Sequence, residues 1–301
     1  MEDLSTKEEA MRDIESAPAE ELLHTAAEVV AGKVAGSDIF DSTAEARIPK
    51  FDKHELTLGR VLGRGGFCVV REIEKIKTCE SSSGGGSMPP KRSLFKRLRR
   101  PLKAKKNPMT SPAAVPRSGG SDIESFVDME CVQDIVVDVK LSRDFVASRS
   151  KSKKTGGRYV IKRVAAELER DDAHTFLKGV VDLAMEKKFL AALDHPNIIK
   201  LCGEYTRGPC TEGYFVVLEK LTETLTKRIK KWMDINRNCQ GFPGVFMGSK
   251  RTMEDLMTKR LLAANDIARG GAYMHSRKVM FRDLVSDKIY PAQAYMAPKQ
   301  N

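Results

Sequence analysis

Between residues 79 and 121 the sequence offers almost nothing with which to build a core. Ser81-Ser82-Ser83-Gly84-Gly85-Gly86 is followed by KRSLFKRLRRPLKAKK at 91–106, nine basic side chains and no acidic one, and then by a Pro/Ala/Ser/Gly stretch. Such a segment buries too little apolar surface to offset the entropy of ordering it. A second basic, flexible piece follows at 148–157. The folded core therefore has to come from the segments on either side of a long low-complexity insert, at about 79–157.

Charge is distributed just as unevenly. The 301 residues carry a net charge of +11, yet residues 1–50 hold twelve acidic and five basic side chains. The run at 91–106 explains most of the excess, so the surface need not be uniformly basic. A hydrophobic share of 41% and a charged share of 31% suit a globular protein with disordered portions. No apolar run approaches the roughly 18–20 residues of a membrane span, and the acidic amino terminus does not read as a secretory signal. Cysteines at 68, 79, 131, 202, 210 and 239 show no C-x-x-C spacing, and no histidines pair at i, i+4. That pattern argues against a disulfide framework or zinc site and for a reducing, intracellular setting, cytoplasmic or nuclear.

The patterned segments are few. Within an acidic leader expected to be largely disordered, Leu22, Leu23, Ala26, Ala27, Val30 and Val34 can line one helical face, which leaves a docking helix as the alternative. From Phe51 the texture changes: residues 56–62 and 68–73 read as two strands joined by a glycine-rich turn. Residues 122–146 recover apolar character and are expected to add a strand or two, and 158–164 is a further strand. A helical pattern through Phe176, Leu177, Val180, Leu183, Ala184, Phe189 and Leu190 ends at Asp194-His195-Pro196, where proline bars continuation. Short strand-like runs at 198–201 and 214–218 precede a helical remainder to about Arg277, broken at 240–249.

Three features carry chemistry. Gly63-Arg64-Gly65-Gly66-Phe67, between two strands, lets the backbone approach a phosphate closely, although a plain hairpin turn has the same composition. Lys162 sits in an apolar strand among Val160, Ile161 and Val164, and Glu186 lies 24 positions later on the following helix. A buried lysine needs a partner, and that carboxylate can supply it.

Their order resembles the eukaryotic protein kinase family from about Phe51 to Asp283. Gly63-x-Gly65-x-Phe67-Cys68-x-Val70 resembles the kinase glycine-rich loop, with cysteine in place of the third glycine. Val160-Ile161-Lys162 resembles the V-A-I-K strand, and Glu186 falls where the glutamate of the family's helix C belongs. His195-Pro196-Asn197-Ile198 is similar to the H-P-N-I stretch after that helix, and Phe215 to Leu221 to the hinge. Ala272-Tyr273-Met274-His275 resembles the end of helix E, and Phe281-Arg282-Asp283-Leu284 the H-R-D-L catalytic loop, with phenylalanine for histidine. The resemblance implies an α+β, bilobal fold: an antiparallel sheet with helix C, then a mainly helical lobe. It implies that the loop (Gly63, Gly65, Gly66, Phe67) covers the phosphates of ATP, that Lys162 contacts them, and that Glu186 orients Lys162. Val70, Val160 and Leu218 would line the adenine site, Glu219 and Leu221 would offer it backbone groups, and Asp283 would accept the proton of a substrate hydroxyl.

The departures follow the last of these motifs. Val285 stands where Ser/Thr members of the family carry lysine, and Lys288 where they carry the asparagine that binds magnesium. No D-F-G follows, and in Tyr295-Met296-Ala297-Pro298, with Lys299 for the usual glutamate, Ala297 comes only 14 positions after Asp283. The carboxy-terminal lobe reads as truncated, with the magnesium ligands missing. Three readings stay open: an incomplete product of a Ser/Thr kinase gene, a pseudokinase that binds nucleotide or a partner without turnover, and an unusual active site. For 91–106 the options are contact with nucleic acid or an anionic membrane, a nuclear localisation signal, or a solvated insertion.

Overall fold

The computed structural model describes residue 14 and residues 17–78, 129–150, 157–240 and 246–290; the basic run at 91–106 and the stretch 295–299 lie outside them. The chain divides into two compact units, residues 1–78 with 133–301, and residues 79–132. The structure below belongs to the first, apart from the opening turn of one helix.

A six-stranded sheet lies at the centre. Its strands are β1 (Lys50–Phe51), β2 (Leu56–Arg64), β3 (Cys68–Ile76), β4 (Tyr159–Val164), β5 (Leu201–Tyr205) and β6 (Phe215–Glu219), in spatial order β1-β5-β6-β4-β3-β2. Neighbours are antiparallel, except that β1 and β5 run parallel. In β6 the run Phe215-Val216-Val217-Leu218 is buried without alternation, as a strand covered on both faces requires. Gly203 of β5 admits the edge strand: a Cβ there would lie 2.6 Å from the ring of Phe51, which is fully buried. The strand expected at 198–201 begins only at Leu201, because the chain is still turning, with the Ile198 N–H donating to the His195 carbonyl.

Around the sheet lie α1 (Ala19–Val34), α2 (Ser42–Ala46), α3 (Met129–Arg149), α4 (Leu168–Asp171) and α5 (Ala173–Ala192); α6 (Leu225–Gln240) and α7 (Phe246–Ser276) form a helical pair. Asp172 caps α5 by accepting from the Thr175 N–H at 2.8 Å. Leu183 and Leu190 join α5 to the core of the sheet, whereas Phe176, Val180, Val181 and Ala184 pack against α1. A helix apolar on two sides has to be covered on both.

Two segments differ from expectation. The leader, expected to be largely disordered, contains α1, whose Leu22, Leu23, Ala26 and Val30 are buried against α5, while Ala27 is exposed. Residues 129–149 form helix α3, where strands were expected. Their β-branched content favours a strand locally, but burial follows a helical period through Ile135, Val139, Arg143, Val146 and Ser150, with Val136 and Val137 left exposed. Tertiary contacts settle the competition: Val146 and Ala147 join the core of the sheet, the Ser150 Oγ accepts the Ile76 N–H, and Arg143 pairs with buried Glu55.

A charged cluster ties α2, α5 and β5 together. Glu45 accepts from Lys187 at 2.7 Å and from Lys188 at 2.9 Å, and Lys187, itself buried, lies 3.5 Å from Glu204. Phe40 meets the Phe189 ring edge-on. Just past the same end of α5, the turn after Leu193 docks on α7. His195 stacks on Tyr273, whose hydroxyl accepts the Asp194 N–H at 3.1 Å, and Asn197 packs over Gly270. Trp232, Leu256 and Ala263 form the core of the α6–α7 pair. No helix among the described residues is long and apolar enough to cross a membrane.

Two measurements check this packing. Leu183→Ala is expected to cost about 2–5 kcal/mol in chemical denaturation, since it opens a cavity between α5 and the sheet. Glu45→Gln is expected to cost about 1.5–3 kcal/mol at neutral pH by removing charge-assisted hydrogen bonds. Burial alone would raise the Glu45 carboxyl, but the Lys187 and Lys188 ammonium groups outweigh it and hold it below the ordinary range. Its contribution is then present above the ordinary glutamate pKa and lost as pH falls through the lowered folded value. Thermal unfolding followed from neutral to acid pH should show a smaller acid loss in Glu45→Gln than in the native chain.

Candidate nucleotide site

The site is assembled on the face of the sheet that α5 covers. Strand register places Val70 beside Lys162 and Lys162 beside Val216, and in the next row Val160 beside Leu218. Alternation along a strand then puts Val70, Val160, Lys162, Val216 and Leu218 on one face. Lys162 Nζ forms an ion pair with Glu186 of α5, with both side chains partly buried. The two residues that the sequence pairs across 24 positions are therefore joined in the fold.

The glycine-rich turn joins β2 to β3. Gly63 pairs with Val70, the Gly65 N–H donates to the Cys68 carbonyl at 2.8 Å, and the space where side chains at Gly63 and Gly66 would stand is open. Its backbone is exposed and unobstructed, a cradle that a phosphate can enter. Phe67 of the turn packs against α5. Its ring lies 5.2 Å from Lys178 Nζ, and its Cβ would be 3.0 Å from a Cβ at Gly179 of α5. Its carbonyl accepts the Ala165 N–H at 2.9 Å, so Phe67 braces the loop against α5 and β4.

Cys68, at the place of a third glycine, points into the same cluster. Burial pushes its thiol up to about 11, opposed by the Lys162 charge and reinforced by Glu186 and Asp182. The thiol is therefore neutral at physiological pH and adds no charge beside the Lys162–Glu186 pair. The hinge is partly engaged already. The Glu219 N–H donates to the Lys200 carbonyl at 3.2 Å and its carboxylate accepts the Lys200 N–H at 3.0 Å.

Sequence patterns alone did not reveal a second charged pair at the hinge. Lys220 Nζ lies 2.6 Å from Glu72 Oε1 of β3, and Glu72 also accepts the Gly157 N–H at 2.9 Å. The Lys220 ammonium holds the Glu72 carboxyl below its ordinary range. The only sequence clue was an acidic residue in an apolar strand, which also describes a solvated position.

Asp283 lies on a separate segment after α7. That segment is anchored to the start of α6, where the Leu225 N–H donates to the Ile289 carbonyl at 2.7 Å and Thr226 Oγ1 lies 2.6 Å from Ser286 Oγ. The Asp283 carboxylate is ion-paired with Lys288, both side chains more than half exposed. Among the described residues no three His, Cys, Asp or Glu side chains converge as metal ligands, and the cation Lys288 occupies the place where the resemblance expects a ligand.

Comparison with known proteins agrees with this architecture. Residues 144–293 match the family model described as protein tyrosine and serine/threonine kinase. That stretch contains Lys162, Glu186, the hinge and Asp283, and leaves the hairpin of β2 and β3 outside. A Dictyostelium discoideum protein named as a probable serine/threonine-protein kinase is 26% identical over 176 residues, covering 58% of this chain. The overlap covers 28% of that relative's length, so the chain corresponds to a minor part of it. The matched segment, with its lysine–glutamate pair between strand and helix, places the chain in the eukaryotic-type protein kinase family.

Proposed function

We propose that the chain binds ATP between the glycine-rich turn and the hinge, and that its role is the kinase one, transfer of a phosphoryl group to Ser/Thr hydroxyls of a protein. One observation carries the reading: Lys162 is held by Glu186 on the face of the sheet that also presents Val70, Val160 and Leu218. An ammonium fixed at the edge of an apolar lining suits a ligand with a flat apolar base and an anionic tail. The open turn at Gly63, Gly65 and Gly66 supplies backbone N–H groups for the same anion. Asp283 is the group for the hydroxyl proton, and an intracellular setting, cytoplasmic or nuclear, supplies ATP and protein substrates.

A specific observation favours a second reading, a pseudokinase that binds nucleotide as a scaffold or allosteric partner. Lys288, which stands where the resemblance expects a magnesium ligand, is ion-paired with Asp283 and offsets its charge. Both readings share the nucleotide site and part at turnover.

Titration with a fluorescent ATP analogue tests the shared part. Lys162→Met is expected to weaken binding by about tenfold or more, because it removes the charge that meets the phosphates. Equal affinity in the native chain and Lys162→Met, with both folded, would remove the nucleotide reading. Phosphate incorporation from labelled ATP then separates the alternatives: incorporation lost in Asp283→Asn supports the kinase, and binding without incorporation supports the pseudokinase.

A further inference from the structure

We propose that residues 19–51 act as an intramolecular brace that positions α5, and through it Glu186, as an element of the nucleotide site; this inference rests on the nucleotide reading above. The brace grips α5 at three kinds of contact. On one side, Leu22, Leu23, Ala26 and Val30 of α1 bury against Phe176, Val180, Val181 and Ala184. Ala26 and Ala184 are both fully buried, and small side chains at a crossing let two helices approach closely. Further along, Glu45 of α2 holds Lys187 and Lys188, and Phe40 meets Phe189. Finally, β1 pairs with β5, whose Glu204 reaches the same Lys187.

The decisive placement is at Glu186 itself. Met185, on one side of it, packs with the α1 cluster, and Lys187, on the other, is held by Glu45 and Glu204. Both neighbours of the glutamate are thus fixed by residues of the amino-terminal segment or by a strand paired with it. The Lys162–Glu186 pair is itself a quarter to a third exposed. An ion pair of that exposure is too weak to hold a helix of 20 residues against the sheet by itself. The rotation of α5, and so the reach of Glu186, is set from behind by α1 and α2. Gly179 carries the effect to the phosphate cradle as well, since Phe67 of the turn rests on it.

The full-length chain carrying Leu23→Asp and Ala26→Asp tests this, with Val29→Asp on the exposed side of α1 as the control for added charge. Two readouts are needed: hydrogen exchange of 173–192, and affinity for the fluorescent ATP analogue. The expected result is faster exchange in α5 with exchange in β6 unchanged, and about tenfold weaker binding, while the control matches the native chain. A synthetic peptide of residues 17–36 added in trans should restore both. Should the double aspartate variant unfold, Leu23→Ala with Val30→Ala is the milder version, with the same expected directions. Release of α1 without faster exchange in α5, or faster exchange in α5 with unchanged affinity, would overturn the brace. A native chain that binds no nucleotide, but whose α5 is freed by the double variant, would instead overturn the nucleotide reading and leave the brace on the helix standing.

Discussion

An ammonium on a central strand of an apolar sheet is tolerated only where a carboxylate meets it, and here that carboxylate has to be carried in by a helix docked on the sheet. Lys162 lies between Val70 and Val216 on neighbouring strands, and its partner comes from a helix rather than from the sheet. The pair contributes about 0–1 kcal/mol at its exposure, whereas each Leu, Val or Phe side chain buried between α1 and α5 contributes about 1.5–3 kcal/mol. The comparison decides the direction of cause. Hydrophobic docking places α5, and the ion pair reports that placement.

The same hierarchy explains what could be read from the sequence. Strands β4 and β6 and helix α5 were legible because each is apolar in a pattern with one structural solution: an unbroken run, or a helical period stopped by Pro196. Lys162 and Glu186 were legible as a pair because their spacing joins a strand to the helix after it. The helix α3 was not, since Ile135, Val136, Val137 and Val139 favour a strand locally, and only contacts of Val146, Ser150 and Arg143 with distant residues favour a helix. The structure of α1 was half legible. Its apolar face was visible, but the surface that receives it, Phe176, Val180, Val181 and Ala184 of α5, is distant in sequence and is brought to it only by the fold. Phe67 shows the limit of motif reasoning, because its place against Gly179 depends on where α5 lies.

The insert also looks different in physical terms. A connection from β3 to β4 that runs from Ile76 to Tyr159 would be expected to loosen the sheet, yet both of its ends are tied down. At the leaving end the Lys77 N–H donates to the Glu55 carbonyl, and at the returning end Ser150 accepts from Ile76 and Gly157 donates to Glu72, which Lys220 also holds. The described end of the insert thus returns to the strand it left, and β3 and β4 keep an unbroken register from Cys68–Val164 to Ile73–Tyr159. Whatever the intervening residues do, they enter and leave the fold at points set by hydrogen bonds.

At Asp283 the chemistry turns on charge rather than packing. A carboxylate that accepts a proton from a hydroxyl works best when nearby cations stabilise the anion formed at the phosphoryl group. Lys288 spends its cation on the carboxylate itself, and the exposure of both groups lets water and salt compete for them. An ion pair this exposed contributes little to stability. Under the proposed function, Asp283 would have to part from Lys288 before it could accept a hydroxyl proton, so the charge at Asp283 and the charge at Lys162 would be set by separate ion pairs.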